Sequence, residues 1–217
     1  GQLNRPAYPR LKGMDSFKGE VFHSAQWHHD YDLTGKKVAV VGTGASAVQF
    51  VPAIAAKVQQ LNLFQRSAPY VIPKPDRAYS ELEQRLYAKW PVLQQASRAS
   101  IYGQHEVRAL AFTVLQAAMK PFEWQFKRHL QQAIKDPVLR AKLTPDYPLG
   151  CKRILISNDY YPALARNNVN VINEGIAEVT ATGITTASGD QYAVETIIYG
   201  TGFQATDFLA PMKITGR

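Results

Sequence analysis

The stretch "LTGKKVAVVGTGASAVQFVPAIAAKVQQLNLFQRS", residues 33–67, decides the fold. A turn at Thr34-Gly35 leads into Val38 to Val41, a short apolar run suited to a strand buried on both faces. A glycine-rich turn follows at once, and Val48, Val51, Ile54, Ala55 and Val58 then recur at helical spacing before "LNLF", residues 61–64, reads as a second strand. The unit is strand, helix, strand. Pro52 lies inside the helical pattern, and its missing N–H predicts a bent axis and irregular first two turns.

Gly42, Gly44 and Ala47 form G-x-G-x-x-A in that setting. The first glycine permits a tight turn, the second lets a pyrophosphate approach the backbone, and the small third residue packs helix on strand. Free N–H groups at a helix start attract phosphate. The candidate cofactor contacts are therefore Gly42, Thr43, Gly44, Ala45, Ser46, Ala47 and Gln49. The alternative is a glycine-rich turn in another α/β fold.

An NAD site commonly has Asp or Glu about 20 residues onward, at the end of the second strand. Here that position reads Phe64-Gln65-Arg66-Ser67, without a carboxylate. Arg66 offers a planar, permanent charge suited to a 2′-phosphate, with Ser67 beside it, which favours NADP(H) over NAD. A solvated surface arginine is the competing reading.

Outward from this unit, residues 1–32 are rich in Pro, Gly, His and Asp and read as an extended lead-in with little regular structure. Residues 79–145 are helical in pattern: Phe122, Phe126, Leu130 and Ile134 lie four apart, and Asp136-Pro137 predicts an N-cap followed by proline at the first helical position. The β pattern returns in "VNVIN", "IAEVTATGITTASGDQYAV" and "TIIYGTGF", with Ser188-Gly189-Asp190 as a hairpin turn. The expected fold is α/β: a Rossmann-like NAD(P)-binding domain over 33–78 and 146–217, with a mostly parallel sheet, a late β-meander and a helical insertion at 79–145.

Composition agrees with a globular chain: 217 residues, 46% hydrophobic and 19% charged. The net charge of +8 comes from scattered bases with no nucleic-acid-binding signature, so no nucleic-acid partner is read. The longest weakly polar run, "ALAFTVLQAAM" at 109–119, is too short to span a bilayer. No metal-ligand pattern is present, no leader is recognisable, and a single cysteine, Cys151, rules out an internal disulfide framework. A cytoplasmic protein is expected.

The lead-in contains "FKGEVFHSAQWHHD", residues 17–30. Read alone, Phe17 and Trp27 cover an edge of the core, Gly19 makes a turn and His23 satisfies a buried carbonyl. Together, Phe17, Gly19, His23 and Trp27 form F-x-G-x-x-x-H-x-x-x-W just ahead of G-x-G-x-x-A, which resembles the fingerprint of Baeyer–Villiger flavin monooxygenases. The resemblance extends through "FQRSAP", "YPLGCKRIL", "NDYYPAL" and "IIYGTGF". It implies that the fingerprint joins two nucleotide domains and that His23 helps set their relative position. By the same resemblance Arg66 and Lys152 look like 2′-phosphate ligands, and Arg153 like the arginine set over the flavin, where fixed positive charge stabilises an anionic oxidant. Thr201 and Gly202 resemble the pair where the chain passes back toward the flavin domain. A loop-surface Lys-Arg pair is the alternative for 152–153.

Three positions depart from the pattern: His28 follows the tryptophan, Gly200 precedes Thr201-Gly202 in place of alanine, and Ser67-Ala68-Pro69 has one extra residue. The glycine unit for FAD is not found in these residues. The resemblance thus implies the NADP(H)-binding part of a monooxygenase that inserts oxygen beside a ketone carbonyl, with FAD bound by a domain missing from this chain and the chain alone inactive. A nitrogen- or sulfur-oxygenating relative and a non-catalytic NADP-binding sensor or interaction module are the rival classes.

Overall fold

The computed structural model describes residues 3–74, 76–113, 119–206 and 215–216. Ahead of the glycine turn lie β1, Glu20–His23, and β2, Lys37–Val41; after it come α1, Ala45–Ala55, β3, Gln60–Phe64, and β4, Val71–Ile72. The helical stretch holds α2, Glu81–Lys89, α3, Pro91–Thr113, α4, Lys120–Ala133, and α5, Pro137–Lys142. Then follow β5, Leu155–Ile156, α6, Tyr160–Leu164, β6, Val169–Ile172, β7, Ile176–Thr180, β8, Gly183–Thr186, β9, Gln191–Ala193, and β10, Thr196–Tyr199.

The central sheet is parallel throughout, in the order β1-β10-β2-β3-β6. Its alternate side chains feed two cores. Val38, Val40, Leu61, Leu63, Val169, Val171 and Ile198 face α1, α4 and α6, while Ala39, Phe64, Ile172, Ile197 and Tyr199 face the antiparallel meander β7-β8-β9. Burial on both faces explains why β2 reads as a continuous apolar run rather than an alternating one. Each fully buried Val or Leu contributes about 1.5–3 kcal/mol. Asn62 interrupts β3 on the meander face and is satisfied there, accepting from the Asn170 amide at 3.0 Å.

The helical stretch is uneven. Phe126, Leu130 and Ile134 are buried against the sheet-covering core, whereas Phe122 stays 36% exposed at its rim. Asp136 caps α5, accepting from the Val138 N–H at 2.9 Å with Pro137 at the first helical position, as the sequence predicts. Ser80 and Glu83 form a reciprocal capping box on α2, and the Arg77 guanidinium beside Glu83, bidentate across 2.8 and 2.6 Å, holds that carboxyl down at about 2. Of the run 109–119, residues 114–118 lie outside the described residues. No helix among the described residues is long and apolar enough to cross a membrane.

One expectation is refined and one corrected. The lead-in has little regular structure, as expected, but what it has matters: β1 adds a fifth strand to the sheet, pairing Glu20 to His23 with Thr196 to Tyr199. Its signal was four residues long and of mixed polarity, since an edge strand is covered on fewer sides. Pro52 does not make the first two turns of α1 irregular: the helix is continuous from Ala45 to Ala55. Val48, Val51, Ile54 and Ala55 are all buried, and their packing outweighs one absent hydrogen bond. The turn at Ser188-Gly189-Asp190 does join β8 to β9, with Gly189 at φ 93° and its N–H bonded to Thr186 at 3.0 Å.

Candidate dinucleotide site

All five parallel strands end on one side of the sheet, at His23, Val41, Phe64, Ile172 and Tyr199. The order reverses between β2 and β10, so the crevice beyond them is where an open α/β sheet binds ligands. The glycine turn lies there. Gly42 has φ 106°, its N–H bonds the Phe64 carbonyl at 3.0 Å, and a Cβ on it would come within 2.5 Å of the Gly200 carbonyl oxygen. Gly44 has an ordinary φ of −73°, and its Cβ would meet nothing closer than the Gly200 oxygen at 4.0 Å. Packing demands glycine at 42 but not at 44.

Gly44 caps α1 with no side-chain acceptor, and the first intrahelical bond runs from the Val48 N–H to the Gly44 carbonyl at 3.0 Å. The N–H groups of Ala45, Ser46 and Ala47 are thus left for an external anion. Thr43 and Gln49 flank them, Gln49 exposed. Ala47 is buried, and a Cβ at Gly200 would touch its Cβ at 3.4 Å, so alanine fits at 200 with little adjustment.

At the end of β3 the structure separates three neighbours. Gln65 is buried and donates to the Lys142 carbonyl at 2.9 Å and to Asn173 Oδ1 at 2.8 Å, tying α5 to the sheet. Arg66 is exposed, with no hydrogen-bond or ion-pair partner among the described residues. Ser67 meets Lys152 across 85 residues of sequence: Lys152 Nζ donates to Ser67 Oγ at 2.7 Å and lies 4.2 Å from the centroid of the Tyr147 ring. Ser67 and Lys152 therefore share one corner, with Arg66 next to Ser67 in the chain. Arg153 is exposed beside it, and among the described residues it too has no ion-pair or hydrogen-bond partner. Tyr147 opens the stretch "YPLGCKRIL" singled out in the sequence, but its contact with Lys152 was not legible there; the pairing of Lys152 with Ser67 becomes visible only when the two loops meet.

The fingerprint residues pack around β1. A Cβ at Gly19 would lie 2.3 Å from the Glu195 carbonyl oxygen and 2.6 Å from the Phe17 ring, so this glycine serves close packing rather than a turn. Trp27 makes edge contacts with Phe22 and Phe50, at 5.1 and 5.3 Å between centroids, joining β1 to α1. His28 stacks on Phe22 and pairs with the Glu20 carboxylate, which gives this departure a local partner. His23 is fully buried, and its Nδ1 accepts from the Ala25 N–H at 3.1 Å. Burial pushes its pKa down, opposed by the Gly202 backbone.

Gly202, at φ 82°, accepts from the Ala7 N–H at 2.9 Å, and the Thr201 hydroxyl donates to the Ala7 carbonyl. Pro6 bridges to Phe203, and the Gln204 N–H bonds Arg5 at 3.0 Å. Two segments far apart in sequence thus run side by side over His23, with Tyr8 and Phe203 against its ring at 5.4 and 5.8 Å. Thr201 and Gly202 are engaged with this seam.

Residues 2–209 match the model of a family described as flavin-binding monooxygenase-like. The whole chain aligns at 52% identity with a Baeyer-Villiger monooxygenase of Pseudomonas aeruginosa and at 46% with one of Streptomyces coelicolor, covering 41% and 42% of their lengths. Among solved structures, a complex of OTEMO with FAD and NADP superposes with a TM-score of 0.76 at 29% identity, over 94% of this chain and 46% of that one. The chain spans less than half the length of these relatives.

Proposed function

Because the chain belongs to the flavin-binding monooxygenase-like family, we propose that it is the NADP(H)-binding part of an FAD- and NADPH-dependent monooxygenase of Baeyer-Villiger type. The observation that carries this reading is the corner where Lys152 Nζ meets Ser67 Oγ at 2.7 Å, with unpartnered Arg66 beside it, at the same sheet end as the uncapped start of α1. The α1 N–H groups receive the pyrophosphate. Arg66, Ser67 and Lys152 receive the 2′-phosphate, where two cations and a hydroxyl select the phosphorylated ribose. Residues 33–78 and 146–217 form the nucleotide-binding unit, 79–145 its helical insertion, and 1–32 the connection to the flavin-binding part.

The flavin supplies oxygen activation when bound, and the substrate is a ketone oxygenated beside its carbonyl. Arg153 contributes a fixed positive charge toward the flavin and the reacting oxygen. The seam of residues 5–8 with 201–204, closed over His23, sets how the two nucleotide sites face each other.

The test uses the full-length protein that contains this chain. Arg66→Ala or Lys152→Ala should cut the preference for NADPH over NADH by about ten- to a hundredfold, the worth of a charge-assisted hydrogen bond. Arg153→Ala should keep NADPH binding yet slow ketone oxygenation by about two to three orders of magnitude. Equal affinity for the two cofactors in the parent protein, or ester formation by Arg153→Ala at the parent rate, would refute the assignments.

A further inference from the structure

Lysine is a poor element from which to build a specific site, because its ammonium is a point charge on a flexible four-carbon stem. In this fold the stem of Lys152 follows Gly150, a residue at φ 101° in an exposed loop. Something must hold the ammonium at Ser67. Tyr147 stands under it, and every polar atom of that tyrosine outside its N–H is engaged with the opposite loop.

The Tyr147 hydroxyl donates to the Ala68 carbonyl at 3.0 Å. Its own carbonyl accepts from the Tyr70 hydroxyl at 2.8 Å, and the two rings meet edge to face at 5.5 Å. Ala68 and Tyr70 are buried, and Tyr70 in turn packs on Phe126 of α4 at 4.7 Å. Residues 67–70 and 147–152 are therefore clamped on each other through one residue, by its hydroxyl and its backbone carbonyl, and its ring carries the ammonium 4.2 Å from the centroid.

We propose that Tyr147 is a positioning residue for cofactor discrimination: its ring holds the Lys152 ammonium against Ser67, so that the 2′-phosphate meets a cation already in place. This inference rests on the reading of the Arg66-Ser67-Lys152 corner as a 2′-phosphate site and assigns the residue that organises it. One face of the ammonium is taken by the ring and one N–H by Ser67, leaving donors for an anionic oxygen. A dinucleotide without the 2′-phosphate does not use Lys152 and gains nothing from Tyr147.

The experiment is calorimetric titration of the full-length flavin-loaded protein with NADP+ and with NAD+. Lys152→Ala should weaken NADP+ and leave NAD+ unchanged. Tyr147→Leu should weaken NADP+ about three- to tenfold through the lost cation–π contact, again with NAD+ unchanged, whereas Tyr147→Phe keeps the ring and most of the affinity. In the Lys152→Ala background, Tyr147→Leu should cost nothing further, a non-additivity that a merely structural role would not produce. Equal losses for both nucleotides, or a full additional loss in that background, overturn the inference while sparing the site. An unchanged NADP+/NAD+ ratio in Lys152→Ala overturns the site itself. If Tyr147→Leu does not fold, pentafluorophenylalanine at 147 keeps the shape of Tyr147→Phe but withdraws charge from the ring face. Its NADP+ affinity must then fall below that of Tyr147→Phe, and equality overturns the inference.

Discussion

Gly42 and Gly44 stand two residues apart and are glycine for different reasons. A side chain at 42 collides with the Gly200 carbonyl and strains a φ of 106°, so Gly42→Ala should destabilise the fold by about 1–3 kcal/mol or more, seen as a lowered urea midpoint. A side chain at 44 meets no protein atom inside 4.0 Å, so Gly44→Ala should leave stability within about 0.5 kcal/mol while weakening dinucleotide binding. His23 yields a different prediction. Its folded pKa lies below the ordinary value of 6.5 because of burial. The unfolded chain therefore binds more protons as pH drops below 6.5, and stability contributed by neutral His23 is present above that value and lost as pH falls toward the folded pKa. His129 is shifted the same way by burial, so the acid loss should shrink but not vanish in His23→Asn, measured as urea midpoint against pH.

At the level of elements, α5 is six residues long and survives by its ends. Asp136 caps the start, while the Lys142 carbonyl at the other end accepts from Gln65 at 2.9 Å and from Asn173 at 2.8 Å, and Lys142 Nζ donates to the Val171 carbonyl of the edge strand β6 at 3.0 Å. Asp136→Ala should cost about 1 kcal/mol. Because α5 covers the free edge of β6, hydrogen exchange should quicken at β6 and Gln65 in that variant, with β2 unaffected; a uniform change across the sheet would contradict this. The capped start was legible as Asp136-Pro137, since caps act within three residues of sequence. The docking of Gln65 was not, because its partners lie 77 and 108 residues away. Separation in sequence likewise concealed β1, whose one strand partner among the described residues, β10, lies far along the chain.

Across the whole molecule, one parallel sheet serves two cores, and a cavity in either weakens the surface that carries the crevice. Leu63 is fully buried in β3, immediately before the strand end that leads to the Arg66-Ser67 corner. Leu63→Ala should cost about 2–5 kcal/mol in denaturant unfolding, a larger loss than any substitution at the exposed cations. Dinucleotide binding by the folded fraction should persist if the corner's own bonds set its geometry.

What the sequence determined by itself were the features governed by near neighbours: the buried strand, the glycine turn, the helix that follows it, the missing carboxylate after β3 and the cap of α5. Backbone conformation, capping and periodicity act over a few residues, so these are written locally. The tertiary structure alone decided that the lead-in supplies a strand, that Gln65 turns inward while Arg66 turns out, and that residues 5–8 close with 201–204 over His23. It alone set Tyr147 beneath Lys152. Each of these depends on segments brought together by burying apolar surface on both faces of the sheet, and that force is non-directional in sequence: it rewards any packing that removes the area from water, and the partners are chosen by the geometry of the assembled strands.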